Sequence, residues 1–272
     1  MRICYQGVMA EQVILGNKMS NFIDFTGKKF VIIGASSGIG RQAAITVASL
    51  GAQLILIARR EEQLRDTVTA LAGSGHGFFT ADISKLDEID SLFKNIKEKY
   101  GSIDGLVYCA GTNTTLPLLQ LKPEKIKATF DVNFFAFVET VRQVTRRGRF
   151  NEGMRIVAVS SNAAIRGDKA HTAYSASKAA MNAAIRCMAK ELADKGICIT
   201  AVAPAVTNTE IYKQYTANSG EVGGSESALM KRQYLGLIEP EDIANTIAFL
   251  LSPGARMITG ITVPVDGGLS TN

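Results

Sequence analysis

The chain has 272 residues, 46% of them hydrophobic and 20% charged, so it can fill a substantial interior and is not an intrinsically disordered polymer. Its formal charge of +5 is mild for that length, and the one dense basic group, Arg146, Arg147 and Arg149, sits at an expected helix end, which argues against nucleic-acid binding. Cys4, Cys109, Cys187 and Cys198 have neither metal-ligand spacing nor a disulfide framework; no metal site is expected, and a reducing cytoplasm suits them, with Cys187 and Cys198 in segments that read as core.

The opening residues, MRICYQGVMAEQVILGNK, hold no apolar run long enough for a signal peptide, because Val13, Ile14 and Leu15 are bounded by Glu11, Gln12 and Gly16. Regular patterning begins after a second methionine, Met19. Residues 1–18 are therefore expected to be a disordered leader outside the fold, and residues 19–272 a single domain. No segment approaches membrane-spanning length, so no membrane partner is expected.

From residue 28 onward, short β-rich runs alternate with helical patterns. A strand is expected over 29–33, a helix over 38–50, a strand over 53–58, a helix over 61–71 and a short strand over 77–80. Leu86, Ile89, Phe93 and Ile96 at helical spacing predict a helix over 85–100, followed by a strand over 105–109 and a long helix from 122 to about 144. A strand over 155–159, the helix that carries Tyr174, a strand over 198–203, a helix over 241–251 and a strand over 259–265 complete the series. Strands with few alternating polar residues, each separated by a helix, imply a parallel sheet covered on both faces. The fold class is α/β, a doubly wound parallel sheet of about seven strands in one domain. The one long irregular stretch, 207–237, follows a strand; ligands bind beyond the carboxyl ends of such strands, which makes it a candidate lid.

The first strand-to-helix turn is Gly34-Ala35-Ser36-Ser37-Gly38-Ile39-Gly40. Glycines there permit a tight turn and let a dinucleotide pyrophosphate approach the N–H groups of the helix N-terminus, whose dipole favours negative charge. The alternative is an ordinary strand-to-helix corner.

Tyr174 and Lys178, at i and i+4, share one helix face and open the stripe Tyr174, Lys178, Met181, Ile185, Met188, Leu192, which is otherwise apolar and core-facing. A lysine in that position needs a reason. A nearby cation favours phenolate over phenol, which equips a tyrosine to exchange a proton with a substrate oxygen near neutral pH. The plainer reading is a snorkelling lysine beside a half-buried tyrosine. Asn133 lies on another buried stripe, Ile126, Phe130, Asn133, Phe137, Val141, as its one amide. Such an amide needs partners, either a neighbouring backbone or a water that relays protons from Lys178. The surplus of Phe134, Phe135 and Val138 beyond that stripe suggests packing on another subunit. His171, three residues before Tyr174, has no evident orienting partner and reads as a loop or helix-start residue, His76 as a loop or strand-edge residue, and Arg166 and Asp168 as entrance or solvated residues.

Taken together, these motifs resemble the short-chain dehydrogenases/reductases, from about residue 28 to Gly268. The resemblance rests on the Gly34–Gly40 turn; Asp82-Ile83 after the third strand; Cys109-Ala110-Gly111; Asn133; Ser161, thirteen residues before Tyr174; the Tyr174/Lys178 pair; Pro204 to Thr209, with Thr207 and Thr209; and the closing Val265-Asp266-Gly267-Gly268. Two positions depart from the family pattern. Cys109 stands where asparagine is usual, removing a side chain that supports the backbone, and Ala205 replaces the glycine of Pro-Gly in the nicotinamide loop.

The resemblance implies a Rossmann fold, a nicotinamide cofactor bound by the motifs just named, and catalysis by Asn133, Ser161, Tyr174 and Lys178. Tyr174 would exchange the proton with a carbonyl or alcohol oxygen, Lys178 would lower its pKa and hold the nicotinamide ribose, and Ser161 would hydrogen-bond the substrate oxygen. Ser160 is the rival for that last role, since adjacent strand side chains face opposite ways. In this fold an acidic residue ending the second strand binds the ribose hydroxyls of NAD. Here that strand ends in Ala58-Arg59-Arg60, so Arg59, with help from Arg60, is expected to meet the 2′-phosphate of NADP. The reading is an NADP(H)-dependent oxidoreductase for a small-molecule carbonyl/secondary-alcohol pair, of the 3-oxoacyl-carrier, sugar or polyol kind, and a homotetramer. The alternative is a catalytically silent dinucleotide-binding sensor or scaffold.

Overall fold

The computed structural model describes residues 23–210, 212 and 232–271. The expected leader and most of the 207–237 stretch lie outside the described residues. The strands are β1 (Lys29–Ile33), β2 (Gln53–Ala58), β3 (Gly77–Thr80), β4 (Ile103–Tyr108), β5 (Phe150–Val159), β6 (Cys198–Pro204) and β7 (Thr262–Val265). They form one sheet in the order β3-β2-β1-β4-β5-β6-β7, and each neighbouring pair is parallel. The main helices are α1 (Gly38–Ser49), α2 (Glu61–Thr69), α3 (Ile89–Tyr100), α4 (Pro123–Phe130), α5 (Ala136–Val144), α6 (Ala163–Arg166), α7 (Thr172–Leu192) and α8 (Pro240–Leu251).

Strand side chains alternate between the two faces, and both faces are apolar because both are covered. Val31 and Ile33 of β1 pack with Phe93 of α3, Phe137 of α5 and Ile185 of α7. Phe30 and Ile32 of the same strand pack on the other side with Val47 of α1 and Ile247 of α8. Each such fully buried Ile, Val or Phe contributes about 2 kcal/mol by leaving water. Strand order reverses between β1 and β4, so the loops that leave them diverge and open a crevice at their carboxyl ends, the usual ligand position in this topology.

Several boundaries differ from the sequence reading. β5 begins at Phe150 rather than 155, since Phe150 pairs with Ile103 before the register shifts at Gly105. β7 begins at Thr262 rather than 259, after Gly260 takes a positive φ of 71°. The long helix over 122–144 is not uniform: a π-helical turn, Asp131–Phe135, joins α4 to α5. The wider turn rotates the two flanking helices relative to each other, so the stripe expected from Ile126 to Val141 is not buried throughout: Ile126 is 36% exposed, while Asn133, Phe137 and Val141 are buried. Cys187 is also not core. It is exposed on α7, and Cys198 is half-buried at the start of β6.

Candidate active site

A cavity of about 880 Å³ occupies the crevice beyond the carboxyl ends of the strands. One half is built by the turn after β1. Gly34 has φ +86° and approaches Ala110 so closely that a Cβ there would lie 2.7 Å from the Ala110 nitrogen. Gly40 is tighter, since a Cβ would fall 2.2 Å from the Gly34 carbonyl oxygen. α1 thus starts close against β1 and β4. No side chain caps its N-terminus at Ser37, and its first turn carries no acidic residue, so the N–H groups and the dipole there are open to an anion. Arg60 reaches across to this turn, donating from Nη2 to Ser37 Oγ at 2.8 Å and to Ser36 Oγ at 3.1 Å. Arg59 is exposed at the end of β2 beside Asp82. The Ser84 hydroxyl and amide both donate to Asp82 Oδ1, at 2.8 and 3.1 Å; with Arg59 and Lys85 nearby, these bonds hold the carboxyl below its usual range against the opposing effect of burial.

The other half is centred on α7. The Tyr174 phenol and the Ser161 hydroxyl both border the cavity, where Ser161 acts to lower the proton affinity of the phenol, and Ser161 Oγ accepts the Ala163 N–H at 3.1 Å. Ser161 leaves the end of β5 on the cavity side. Ser160 also borders the cavity but is only 3% exposed, and its hydroxyl has no partner. Lys178, one helical turn beyond Tyr174, is 4% exposed and donates from Nζ to the Val159 carbonyl at 2.7 Å. Burial lowers its pKa to about 8. Burial also raises the proton affinity of Tyr174 against the opposing effect of Ser161, so the phenol carries its proton at neutral pH.

A match to the family described as enoyl-(acyl carrier protein) reductase spans residues 34–270. The chain belongs to the short-chain dehydrogenase/reductase family. It is 35% identical to an L-xylulose reductase of Caenorhabditis elegans, over 92% of this chain and 98% of the relative. It is 31% identical to a 3-oxoacyl-[acyl-carrier-protein] reductase of Synechocystis, over 90% and 97%. A solved actinorhodin polyketide ketoreductase with NADPH superposes with a TM-score of 0.81 at 27% identity, covering 90% of this chain and 98% of that one. The protein is therefore a dehydrogenase/reductase of the short-chain type, an oxidoreductase for carbonyl and alcohol groups with a nicotinamide dinucleotide as cofactor.

The cleft fits such a cofactor: an uncapped helix N-terminus and Arg60 offer donors to phosphates, and the Tyr174 and Lys178 side chains lie at the opposite end of the same cavity. Most of the residues expected from this dehydrogenase/reductase resemblance border the cavity: Gly34, Ser36, Ser37, Gly38 and Ile39 of the turn, Arg59 and Arg60, Asp82 and Ile83, Cys109 to Gly111, Ser161, Tyr174, Lys178, Pro204, Thr207 and Thr209. Two do not reach it. Gly40 lies beneath the turn, and Asn133 is fully buried behind Gly111, where a Cβ would sit 3.3 Å from Asn133 Oδ1 and 3.4 Å from Lys178 Nζ.

Asn133 sits in the π-helical turn, and its amide is already engaged. Oδ1 accepts the Thr112 N–H at 2.8 Å, and Nδ2 donates to the Thr112 carbonyl and the Ser177 hydroxyl, both at 3.0 Å. Of the two partners open to it in the sequence, the neighbouring backbone is the one these bonds supply. Cys109 still donates its N–H to the Ile33 carbonyl at 2.8 Å, so the end of β4 is tied to β1 by main chain where the family's asparagine is absent. Burial pushes its thiol up to about 12, which leaves it inert as a nucleophile.

Some features were not visible in the sequence. His171 does have an orienting partner: its Nε2 and the Thr115 hydroxyl are 3.1 Å apart, its Nδ1 lies 3.0 Å from the Lys169 carbonyl, and its ring stands edge-on to Tyr174 at 6.0 Å. Thr115 is distant in sequence and carries no motif. Tyr212 and Arg232 border the cavity from either side of the largely undescribed 207–237 stretch. Among the described residues, no helix is long and apolar enough to cross a membrane.

Proposed function

We propose that this protein is an NADP(H)-dependent oxidoreductase that interconverts a small-molecule ketone and its secondary alcohol, with Tyr174 as the group that exchanges the proton. The observation that carries this reading is the placement of Ser161 and Tyr174 together at the cavity wall, with the ammonium of Lys178 one helical turn away.

In the direction of reduction, a carbonyl oxygen held between them would accept from the Ser161 hydroxyl and the Tyr174 phenol, which both border the cavity. The bound nicotinamide supplies the hydride. As negative charge develops on the oxygen, Ser161 stabilises it and Tyr174 delivers its proton, which burial keeps on the phenol at neutral pH. Lys178, cationic below about pH 8, stabilises the phenolate left behind. Asn133 holds Thr112 and Ser177, and thereby the floor under Gly111. In oxidation the same groups act in reverse.

Arg60 and Arg59 support a preference for the 2′-phosphorylated cofactor, because two guanidinium groups border the cavity directly after β2, where this fold carries an acidic residue to bind NAD. The activities of the two relatives, on L-xylulose and on 3-oxoacyl-[acyl-carrier-protein], name the substrate classes to try first. Three ring contacts among Phe130, Phe134 and Phe135, with Phe135 43% exposed, support assembly of a homotetramer through the α4–α5 face. The unpaired Cys109, Cys187 and Cys198 support a cytoplasmic setting.

The test is oxidation of NADPH by purified protein with a panel of keto sugars, 3-oxoacyl thioesters and simple ketones. Turnover of any class supports the reading. Cofactor binding without turnover across the panel would favour a silent dinucleotide-binding sensor.

A further inference from the structure

One cluster of hydrogen bonds belongs neither to the nucleotide turn nor to Tyr174, yet it converges on the residue next to Ser161. Asn162 is 3% exposed and Asp266 8% exposed, and Asn162 Nδ2 donates to Asp266 Oδ2 at 2.9 Å. The Asn162 main chain is fixed as well: its N–H donates to the Pro204 carbonyl at 2.8 Å, and its carbonyl accepts the N–H groups of Ile165 and Arg166 at 2.9 and 3.1 Å. On the other side of Ser161, the Ser160 N–H donates to the Val202 carbonyl at 2.8 Å. Ser161 is therefore held between two anchored neighbours.

Asp266 joins this loop to the end of the chain. Its Oδ2 also accepts the Ser270 N–H at 2.9 Å, and its Oδ1 accepts the Gly268 N–H at 3.1 Å. The turn folded in this way brings Leu269 to the cavity, and Arg166 Nη1 donates to the Leu269 carbonyl at 2.6 Å. A carboxylate this buried needs all of its donors, and the Asn162 amide needs its acceptor, so removing either partner strands a buried polar group.

We propose that Asn162 and Asp266 are a positioning pair: their hydrogen bond ties the loop that aims the Ser161 hydroxyl at Tyr174 to the C-terminal turn, so that the last residues of the chain set the geometry of proton transfer. This rests on the roles proposed above for Ser161 and Tyr174. Neither member of the pair touches substrate; each acts through the serine.

A double-mutant cycle with Ser161 separates this from a general stabilising role, because residues acting as a unit are non-additive. Asn162→Ala is expected to lower kcat about 10-fold or more while cofactor Kd stays within about 3-fold, since the serine is misaimed and the nucleotide turn is untouched. In a Ser161→Ala background, adding Asn162→Ala is expected to lower kcat by less than about 2-fold. The same loss in both backgrounds, or an Asn162→Ala enzyme with wild-type kcat, would overturn the proposal. If Asn162→Ala does not fold, Asp266→Asn, which keeps one acceptor oxygen, goes through the same cycle with the same criteria. Failure of both to fold would also overturn it, because the pair would then be holding the domain rather than the serine. A Ser161→Ala enzyme with wild-type kcat would instead strike the reading of the site itself. That result differs from failure of the pair alone, in which Ser161→Ala is slow and Asn162→Ala is not.

Discussion

Asn133 and Thr112 are hydrogen-bonded in both directions, the Asn133 amide accepting the Thr112 N–H and donating to its carbonyl, like one rung of a sheet made by a side chain. Asn133→Ala removes these bonds and the one to Ser177, leaving the Thr112 N–H and carbonyl without this partner. The expected cost is about 3 kcal/mol of stability, measured by urea unfolding, together with a fall in kcat as Gly111 loses its support. A variant as stable as the wild type would show that Thr112 finds other partners.

Gly40→Ala is expected to be severe. Its Cβ would meet the Gly34 carbonyl oxygen at 2.2 Å, backbone against backbone, with no flexible side chain to move aside. A loss of about 3 kcal/mol and of cofactor binding together is expected, read by thermal unfolding and by fluorescence titration with NADPH. Wild-type cofactor affinity would mean that the turn can open without consequence.

Lys178 gives the apo protein a defined pH dependence. Its folded pKa is lowered by burial to about 8 from 10.5, so the folded chain disfavours the cation that the unfolded chain keeps. The resulting penalty is full below pH 8 and is relieved as pH rises from about 8 to 10.5, so this group adds stability through that window. Compared with Lys178→Met, the wild type should gain on the order of 3 kcal/mol across it. A difference between the two proteins that does not change with pH would contradict the burial of a titrating amine.

The cofactor preference rests on Arg59 and Arg60. NADPH is expected to have the higher kcat/KM, and Arg60→Ala to weaken NADPH about 10-fold while leaving NADH within about 3-fold, because only the former carries the extra phosphate. Ala58→Asp with Arg59→Ile should move the preference toward NADH. A wild-type enzyme that works better with NADH would remove the phosphate role from both arginines.

Light scattering should give a tetramer at micromolar concentration. A monomer would refute the packing role given to Phe134 and Phe135.

Much of the architecture was legible because both faces of a parallel sheet are buried: β1 and β2 read as apolar runs after their first residue, with the boundaries they take in the fold. Tyr174 and Lys178 were legible because a lysine on a core-facing stripe is anomalous. What escaped was either long-range or without periodic signature. The π-helical turn around Asn133 moves the buried face off Ile126, which a stripe drawn at uniform α-helical spacing does not show, and the partners of Asn133 and Asn162 come from Thr112, Ser177 and Asp266, which no local pattern connects to them. The reach of the Arg60 guanidinium to Ser36 and Ser37 is likewise a long-range contact that the sequence around β2 does not show. The closing Val265-Asp266-Gly267-Gly268 was recognised as a motif, yet only the fold shows that its carboxylate folds the C-terminal turn against the Ser161 loop.

The central claim is that the Tyr174 phenol carries the proton, and Tyr174→Phe tests it most directly, since the change removes one hydroxyl at the cavity wall while keeping the ring. With the best ketone from the substrate panel, kcat is expected to fall by about 100-fold or more while the Kd for NADPH stays within about 3-fold. A Tyr174→Phe enzyme that keeps most of its turnover would contradict the account.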